Sequence, residues 1–315
     1  MATKPVPSKL NLALMNLFLG MCKGAAELPR HFRVLGYSDK CVELGFQNSA
    51  GELVVPELIV ASRRLGHSIL FEWKSGPNTD EDQLRRYSEV TAADLLERAT
   101  LSPEESASHD IALIGYEEFA ERLAIPIDAN SYPFPLLLVT DDGLDIFRNR
   151  FTPDDTDRIF RPRLEFDWDK VPSYFFPVDA DFELWEVAEL LIPRIMELMG
   201  QGEARVLITQ LEQAIPSWNI MAPPYRGRLR AKINTVMSHA CERQFRAYIQ
   251  LNRDGGARNR LGPHWDIVNN PILAVSDRRN REWKRLGAQQ KAFLDFLRTG
   301  GDLPEQGVLN LQARR

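Results

Sequence analysis

Cysteine is scarce in this chain, and the motifs of several common protein classes are missing. The 315 residues contain three scattered cysteines, Cys22, Cys41 and Cys241, with no C-x-x-C pair and no histidine at zinc-binding spacing. This usage fits a reduced, cytoplasmic compartment. There is no Walker A motif, no G-x-G-x-x-G, no internal repeat and no low-complexity tract. Motor and dinucleotide-binding functions therefore have nothing in their favour.

Long hydrophobic runs are missing as well. The most apolar stretch, residues 9–22, is too short to span a bilayer, and Asn11 and Asn16 interrupt it. No small-residue cleavage site follows cleanly, which disfavours a signal peptide. Its apolar residues recur at helical spacing, so we predict a buried first helix and no membrane partner.

Charge is unevenly distributed. Hydrophobic residues make up 44% of the chain and charged residues 26%, as in a soluble globular protein long enough for two domains. Residues 201–315 hold 19 Lys and Arg against 10 Asp and Glu, a net charge of +9, which leaves −14 for residues 1–200. The basic third indicates where a polyanion would dock, or the charge simply follows a domain boundary.

Two apolar runs, residues 56–62 and 68–75, predict a hairpin that brings acidic residues together. Glu57 near the start of the first strand can lie across from Glu72 near the end of the second, with Lys74 on the same face as Glu72. Facing carboxylates destabilise a sheet unless a cation compensates. Two carboxylates, the backbone carbonyl of Trp73 and waters are ligands that suit Mg²⁺ or Mn²⁺, and Lys74 can position the attacking water for phosphodiester hydrolysis.

These residues carry a resemblance to a known family. Pro56-Glu57, a gap, and Glu72-Trp73-Lys74 resemble the signature of the PD-(D/E)xK nuclease superfamily, and Gln83-Leu84-Arg85-Arg86-Tyr87 resembles the Q-x-x-x-Y helix of its RecB-like branch. One departure is that Glu57 stands where the family usually has Asp. The resemblance covers about the first 120 residues.

The resemblance implies an α/β fold with a restriction-endonuclease-like αβββαβ core. It implies that Glu57 and Glu72 bind metal, that Lys74 is catalytic, and that Gln83 and Tyr87 organise the site or contact the nucleic acid. A further ligand often comes from the first helix, for which Glu27 and His31 are the candidates. For these two, a solvated glutamate and a partly buried structural histidine are the alternatives.

Further elements complete this predicted core. Strands are predicted over residues 40–47, 51–62 and 109–114, and one helix over residues 78–98, capped at Asn78-Thr79-Asp80. Two more strands, residues 134–140 and 144–151, flank a hairpin turn at Asp141-Asp142-Gly143. We place the nuclease-like domain at residues 1–151 and a linker rich in proline and aromatic residues at 152–182.

Residues 183–315 are predicted to form a mainly helical domain. Helices are expected over residues 182–199, 202–215 and 226–251, with a last helix ending near Arg298. A helix followed by a basic helix is compatible with a winged-helix or helix-turn-helix reader, with the wing at residues 252–268; a helical bundle for protein contact predicts nearly the same sequence. The candidate nucleic-acid contacts are Arg226, Arg228, Arg230, Lys232, Arg278, Arg279 and Arg281.

The sequence thus predicts a Mg²⁺-dependent or Mn²⁺-dependent nuclease acting on DNA in preference to RNA. By analogy it belongs to a prokaryotic defence or mobile-element system in which a protein partner supplies targeting or activation. The alternatives are a nuclease-fold subunit that has lost catalysis, and a DNA-binding regulator within a multi-protein complex.

Overall fold

The computed structural model describes residues 4–99, 101–161, 163–176, 183–252, 264–273 and 276–299, with the side chains of 276–278 excepted. The chain divides into two compact units. The first consists of Met1–Asp179 and Pro216–Arg226, and the second of Ala180–Ile215 and Gly227–Arg315. Both contain helices and strands, so the fold is mixed α/β.

The first unit contains six helices and nine strands within the described part of the chain. The helices are α1 (Leu10–Lys23), α2 (His31–Val34), α3 (Glu81–Ser88), α4 (Ala92–Glu97), α5 (Ala120–Asn130) and α6 (Asp154–Asp157). The strands are β1 (Tyr37–Val42), β2 (Phe46–Gln47), β3 (Leu53–Val54), β4 (Leu58–Ser62), β5 (His67–Lys74), β6 (Ser108–Tyr116), β7 (Leu136–Thr140), β8 (Gly143–Arg148) and β9 (Leu164–Glu165).

Seven of these strands form one mixed sheet in the order β1-β4-β5-β6-β7-β8-β9. The pairs β1/β4 and β4/β5 are antiparallel, β5/β6 and β6/β7 are parallel, and β7/β8 and β8/β9 are antiparallel. The central strands β4 and β5 are almost entirely buried. The hairpins predicted around residues 63–67 and at Asp141-Asp142-Gly143 are confirmed.

The first helix packs on one face of β5. The prediction of a buried helix over residues 9–22 is confirmed by α1, which ends where Gly24 adopts a left-handed conformation at φ 72°. The Phe18 ring lies 4.1 Å from that of Phe71, and Trp73 Nε1 donates to Asn11 at 3.1 Å. Phe71 and Trp73 point to this face, so alternation along the strand directs Glu72 to the other.

The single helix predicted over residues 78–98 is wrong, because the chain forms two short helices there. Asp80 caps α3 as expected, accepting from the N–H groups of Asp82 and Gln83. The helix ends at Ser88, and Thr91 then caps α4 by exchanging hydrogen bonds with Asp94. The capping box starts a new helix at a point where the apolar spacing alone predicted continuity.

The predicted strands over residues 40–47 and 51–62 are each divided in two. Glu43 has a positive φ of 49°, which interrupts the strand between β1 and β2. The small antiparallel pair β2/β3 lies outside the main sheet, and residues 48–52 connect its two strands. Because the strand is interrupted at Glu43, the side-chain direction of this residue does not follow from the alternation along β1. The Glu43 side chain is half-buried.

Much of the predicted linker packs into the first unit. Within residues 152–176, α6 and β9 form, and Phe160, Trp168 and Phe176 are buried. Residues 216–226 join the same unit: Ala222 N–H donates to Val42 O at 3.0 Å, and Tyr225 packs against Phe176. The remaining linker residues, 177–182, lie outside the described residues.

The second unit contains a small sheet that the sequence did not predict. Its elements are α7 (Leu184–Gly200), β10 (Arg205–Leu207), α8 (Ile208–Glu212), α9 (Pro223–Glu242), β11 (Ile249–Asn252), β12 (His264–Ile267) and α10 (Ser276–Arg298), α9 beginning in the first unit. The helix predicted over residues 202–215 is wrong in its first part, where β10 forms, and the helix predicted to residue 251 ends at Glu242. The three strands pair antiparallel in the order β10-β12-β11.

Apolar stripes hold this unit together. The apolar residues spaced along α9 and just after it, Ile233, Val236, Met237, Ala240 and Phe245, are all buried. Phe245 packs edge-on against Phe293 of α10, with ring centroids 5.6 Å apart. None of the helices in the described ranges is both long enough and apolar enough to cross a lipid bilayer.

Candidate active site on strand β5

The last residues of β5 carry polar side chains on the face opposite α1. Glu72 is only 4% exposed, and Lys74, two residues later on the same face, is half-buried. The neighbouring strand β6 runs parallel, with Leu113 opposite Glu72 and Gly115 opposite Lys74. Burial in the middle of the sheet makes an unpaired carboxylate unfavourable, so the surroundings of Glu72 have to satisfy it.

Three donors converge on the Glu72 carboxylate. Lys74 Nζ and Gln83 Nε2 donate to Oε1 at 2.8 and 2.9 Å, and Tyr87 O–H donates to Oε2 at 2.9 Å. Lys74 Nζ also donates to Gln83 Oε1 at 2.5 Å, which closes a triangle of hydrogen bonds. Gln83 and Tyr87 reach the same carboxylate because residues four apart lie on one face of α3.

Tyr87 is a buried donor. Its side chain is 1% exposed and belongs to the apolar core between the sheet and α3. Burial, followed by the charge of Glu72, raises the pKa of the Tyr87 hydroxyl well above its usual value, and the charge of Glu57 acts in the same direction. The hydroxyl therefore stays protonated and positions Glu72, while the ring packs in the core.

Glu57 lies directly before β4 and faces the same cluster. Leu58 pairs with Phe71 and Ile59 with Leu70, so the same register continued by one residue sets Glu57 opposite Glu72. Glu57 N–H donates to Phe71 O at 3.0 Å, so the hydrogen bonding between the two segments extends one residue beyond β4. The side chain is half-buried, and the influence of its charge on Tyr87 agrees with this position.

The oxygen set fits a small divalent cation. A carboxylate has about four lone-pair positions, and three on Glu72 are taken by Lys74, Gln83 and Tyr87, which leaves one on Oε2. Among the described residues no group of three or more His, Cys, Asp or Glu side chains is arranged to hold a metal. Mg²⁺ is often held by only one or two carboxylates, with waters and substrate phosphates completing its shell.

The two further candidate ligands lie outside the first helix. Glu27 occupies the turn after α1, and His31 begins α2; both are exposed. Because His31 is exposed, the alternative that it is a partly buried structural histidine is wrong. α1 itself packs on the face of β5 opposite Glu72, so its own side chains do not point toward the carboxylate.

The candidate nucleic-acid contacts are distributed over two helices. Arg226, Arg228, Arg230 and Lys232 lie on the first half of α9, where Arg228 and Arg230 are exposed. Arg230 forms an ion pair with Glu212 of α8. Arg279 and Arg281 are exposed on α10, whereas the side chain of Arg278, like residues 253–263 of the predicted wing, lies outside the described residues.

A second polar cluster at the other end of β5 was missed. His67 is fully buried; its Nδ1 lies 3.0 Å from Ser108 Oγ, and its Nε2 lies 3.1 Å from Asp110 Oδ2 without hydrogen-bond alignment. Asp110 accepts from both the N–H and the hydroxyl of Thr152. The sequence holds one sign of this cluster, because His67 begins the apolar run of β5 and Ser108 and Asp110 begin that of β6. Only the parallel pairing of the two strands brings these polar residues together.

One comparison with known proteins matches this unit. Residues 11–159 match the family model described as the MJECL32 domain, a span that includes α1, the hairpin β4/β5 and α3. It covers less than half of the chain, and its description names no activity. No curated protein and no solved structure matches the chain.

Proposed function

We propose that the protein is a metal-dependent nuclease that hydrolyses phosphodiester bonds of DNA. The observation that carries the proposal is the hydrogen-bonded cluster of Glu72, Lys74, Gln83 and Tyr87, with Glu57 across from Glu72 on the adjoining strand. These five residues come from three separate elements. A purely structural sheet gains little from two facing carboxylates in its interior.

Each residue has a distinct role in this proposal. Glu57 and Glu72, with the Trp73 carbonyl, would hold Mg²⁺ or Mn²⁺, which offsets negative charge at the phosphate as the bond breaks. Lys74 orients the attacking water. Gln83 fixes both Lys74 and Glu72, while Tyr87 fixes the second oxygen of Glu72. Such partners hold reacting groups in a productive geometry before substrate arrives.

The element order supports a restriction-endonuclease-like core. α1, the antiparallel strands β1, β4 and β5, helix α3 and the parallel strand β6 follow one another in the order αβββαβ. The small pair β2/β3 and helices α2 and α4 are insertions between these elements. Agreement of order, pairing direction and acidic positions favours this fold over an unrelated mixed sheet.

The second unit supports a winged-helix reader of duplex DNA. Its order is α7, β10, α8, α9, β11, β12, and the antiparallel strand order β10-β12-β11 puts the hairpin after the basic helix α9. Arg228 is exposed on α9 and would contact the phosphates of a duplex, which give most of the binding energy for such modules.

The proposed setting is a reduced, cytoplasmic compartment. Cys22, Cys41 and Cys241 are free, and burial raises the pKa of the Cys41 thiol to about 12, which keeps it unreactive. By analogy with compact nucleases joined to basic modules, we propose a role in prokaryotic defence or a mobile element, with a protein partner that supplies targeting or activation.

The decisive experiment combines DNA cleavage with metal dependence. Purified protein is incubated with supercoiled plasmid and with linear single-stranded and double-stranded DNA, in Mg²⁺, Mn²⁺ or EDTA. We expect cutting that requires metal, is lost in Glu72→Ala and Lys74→Ala, and persists in Glu97→Ala, an exposed carboxylate on α4. Cutting by Lys74→Ala at the wild-type rate would show that the site is wrongly assigned.

The alternative is a nuclease-fold subunit without catalysis. Lys74 directly contacts Glu72 and Gln83, so the buried charge is already balanced by a lysine, and Glu57 stands where the family usually has Asp. This alternative predicts DNA binding or a co-purifying partner without cleavage under any metal condition. Calorimetry with Mn²⁺ distinguishes the two, because a binding signal that disappears in Glu57→Ala supports the nuclease.

A further inference from the structure

Two adjoining depressions in the second unit differ in chemistry. One has a volume of about 410 Å³, and its lining includes Arg243, Arg246, Arg285 and Gln244. The other has a volume of about 450 Å³, and its lining includes Val268, Asn270, Leu273 and one carboxylate, that of Glu282, which accepts from the Tyr248 hydroxyl at 3.3 Å. They share Ala247, Tyr248 and Arg285, so one ligand can occupy both. Each volume is within the range of small-molecule sites.

The first depression is suited to phosphate. Three guanidinium groups line it and no acidic side chain does. Arg246 and Arg285 are exposed, and neither forms an ion pair with another described residue. The Arg243 guanidinium lies over the Phe296 ring at 4.4 Å, which holds it in place. Arginine is the side chain that best matches phosphate oxygens through paired N–H donors.

The second depression is suited to a flat heterocycle. Its wall includes two exposed apolar side chains, Leu273 at 77% and Val268 at 43% exposure. Asn270 Nδ2 is buried there without a hydrogen-bond partner, although Asn270 Oδ1 accepts from Ile272 N–H. In the first depression Gln244 Oε1 is likewise buried and unpartnered. A buried polar atom left unpaired is unfavourable. An acceptor atom of the base would satisfy Asn270 Nδ2, whereas Gln244 Oε1 requires a donor such as a ribose hydroxyl, because ionised phosphate only accepts.

We propose that these depressions form a nucleotide-binding site, with the phosphates at Arg246 and Arg285 and the base between Leu273 and Asn270. A nucleotide supplies the phosphate charge, the apolar ring faces and the mixed donors and acceptors that the lining requires. All lining residues lie in the second unit, outside the β5 cluster, so the proposal does not depend on nuclease activity.

Calorimetry of the full chain with ATP in EDTA tests the site while metal-dependent chemistry is suppressed. We expect saturable binding, with tripolyphosphate and adenosine each about tenfold weaker or more, because each lacks half of the contacts. Arg246→Gln and Arg285→Gln should each weaken ATP binding about tenfold. Leu273→Ser should weaken ATP binding and leave tripolyphosphate binding unchanged.

The matched control is Arg205→Gln, an exposed arginine on β10 that lines neither depression; it should bind ATP like the wild type. Equal melting temperatures would show that the variants fold. The proposal is overturned by three results: no ATP binding at millimolar concentration, tripolyphosphate binding as tightly as ATP, or unaltered affinity in both arginine variants. A short DNA duplex that displaces ATP and is weakened by the same variants would reassign the site to the nucleic-acid backbone.

Discussion

Glu72 shows how a single residue can require a set of partners. It lies in the interior of a seven-stranded sheet, where an isolated charge is strongly disfavoured. Lys74 supplies a compensating charge from the same strand, and α3 supplies two neutral donors. Together these donors occupy three of the four lone-pair positions of the carboxylate and leave one open on Oε2.

Gln83 is expected to matter for both stability and activity. Gln83→Leu removes one donor from Glu72 and the acceptor of Lys74, so we expect a loss of about 1–3 kcal/mol in the free energy of unfolding, measured in urea. Under the proposed function kcat should fall about 10–100-fold with little change in KM, because Gln83 positions reacting groups. Gln47→Leu, at an exposed position on β2, is the control. Wild-type turnover in Gln83→Leu would contradict this role.

Tyr87→Phe removes one hydroxyl and keeps the ring. The buried Glu72 carboxylate loses a donor, so stability at pH 7 should fall by about 1.5–3 kcal/mol. The pKa of Tyr87 is raised above its usual value of 10.0, so above pH 10 the unfolded chain releases a proton that the folded chain retains. Wild-type stability should therefore decline with pH there, more steeply than that of Tyr87→Phe by up to about 1.4 kcal/mol per pH unit.

Urea unfolding of both proteins between pH 7 and 11 measures that difference. The difference in free energy of unfolding between wild type and Tyr87→Phe should become smaller as the pH rises above 10. The control is Tyr132→Phe, which removes one hydroxyl from a half-buried ring in the same unit. Parallel profiles for wild type and Tyr87→Phe would mean that the hydroxyl is not held protonated by folding.

At the scale of elements, Glu105 joins three segments of the first unit. It lies between α4 and β6 and accepts from Lys40 of β1 at 2.7 Å and from Arg63 in the β4/β5 turn at 3.0 Å. Burial alone would raise its pKa, but the hydrogen bonds from Lys40 and from Ser102 N–H hold the pKa at about 2. The hairpin that carries the candidate site is therefore anchored at its turn as well as along its ladder.

Glu105→Gln should destabilise the protein by roughly 3 kcal/mol at pH 7. Because its folded pKa is lowered from 4.5 to about 2, the stabilisation is complete above pH 4.5 and is lost as the pH falls toward 2. The difference in free energy of unfolding between wild type and Glu105→Gln, measured in denaturant, should therefore become smaller as the pH falls from 4.5 toward 2. Glu97→Gln, at an exposed position on α4, is the control and should leave the free energy of unfolding at pH 7 nearly unchanged. A difference that persists unchanged at pH 2 would rule out the ionised carboxylate as its source.

At the scale of the whole molecule, the charge asymmetry gives residues 201–315 a net charge of +9 and residues 1–200 a net charge of −14. If α9 contacts a duplex, Arg228→Ala and Lys232→Ala should each weaken binding and reduce the slope of log K against log salt concentration by about 1.

Fluorescence anisotropy with a labelled duplex at several salt concentrations measures these slopes. Arg194→Ala on α7, an arginine paired with Glu197, is the matched control and should bind like the wild type. Unchanged slopes in both α9 variants would exclude this helix as the duplex-binding surface and favour the protein-contact alternative.

The sequence by itself determined the hairpin and its facing acids. Two short runs of branched and apolar residues, 56–62 and 68–75, predicted the pairing, and the tight turn between them fixed the register that sets Glu57 opposite Glu72. The buried first helix, the cap at Asp80 and the apolar stripe of α9 were equally local patterns. Such features are predictable because the information lies within one or two neighbouring elements.

Only the tertiary structure decided the rest, because those features depend on contacts between distant segments. The break between α3 and α4, the strand β10 and the return of residues 216–226 to the first unit are examples. Apolar spacing does not reveal a capping box that overrides a continuous helix, or a short strand that gains its hydrogen bonds from a partner about sixty residues away. The pairing of Gln83 and Tyr87 with one carboxylate likewise required α3 to pack on β5.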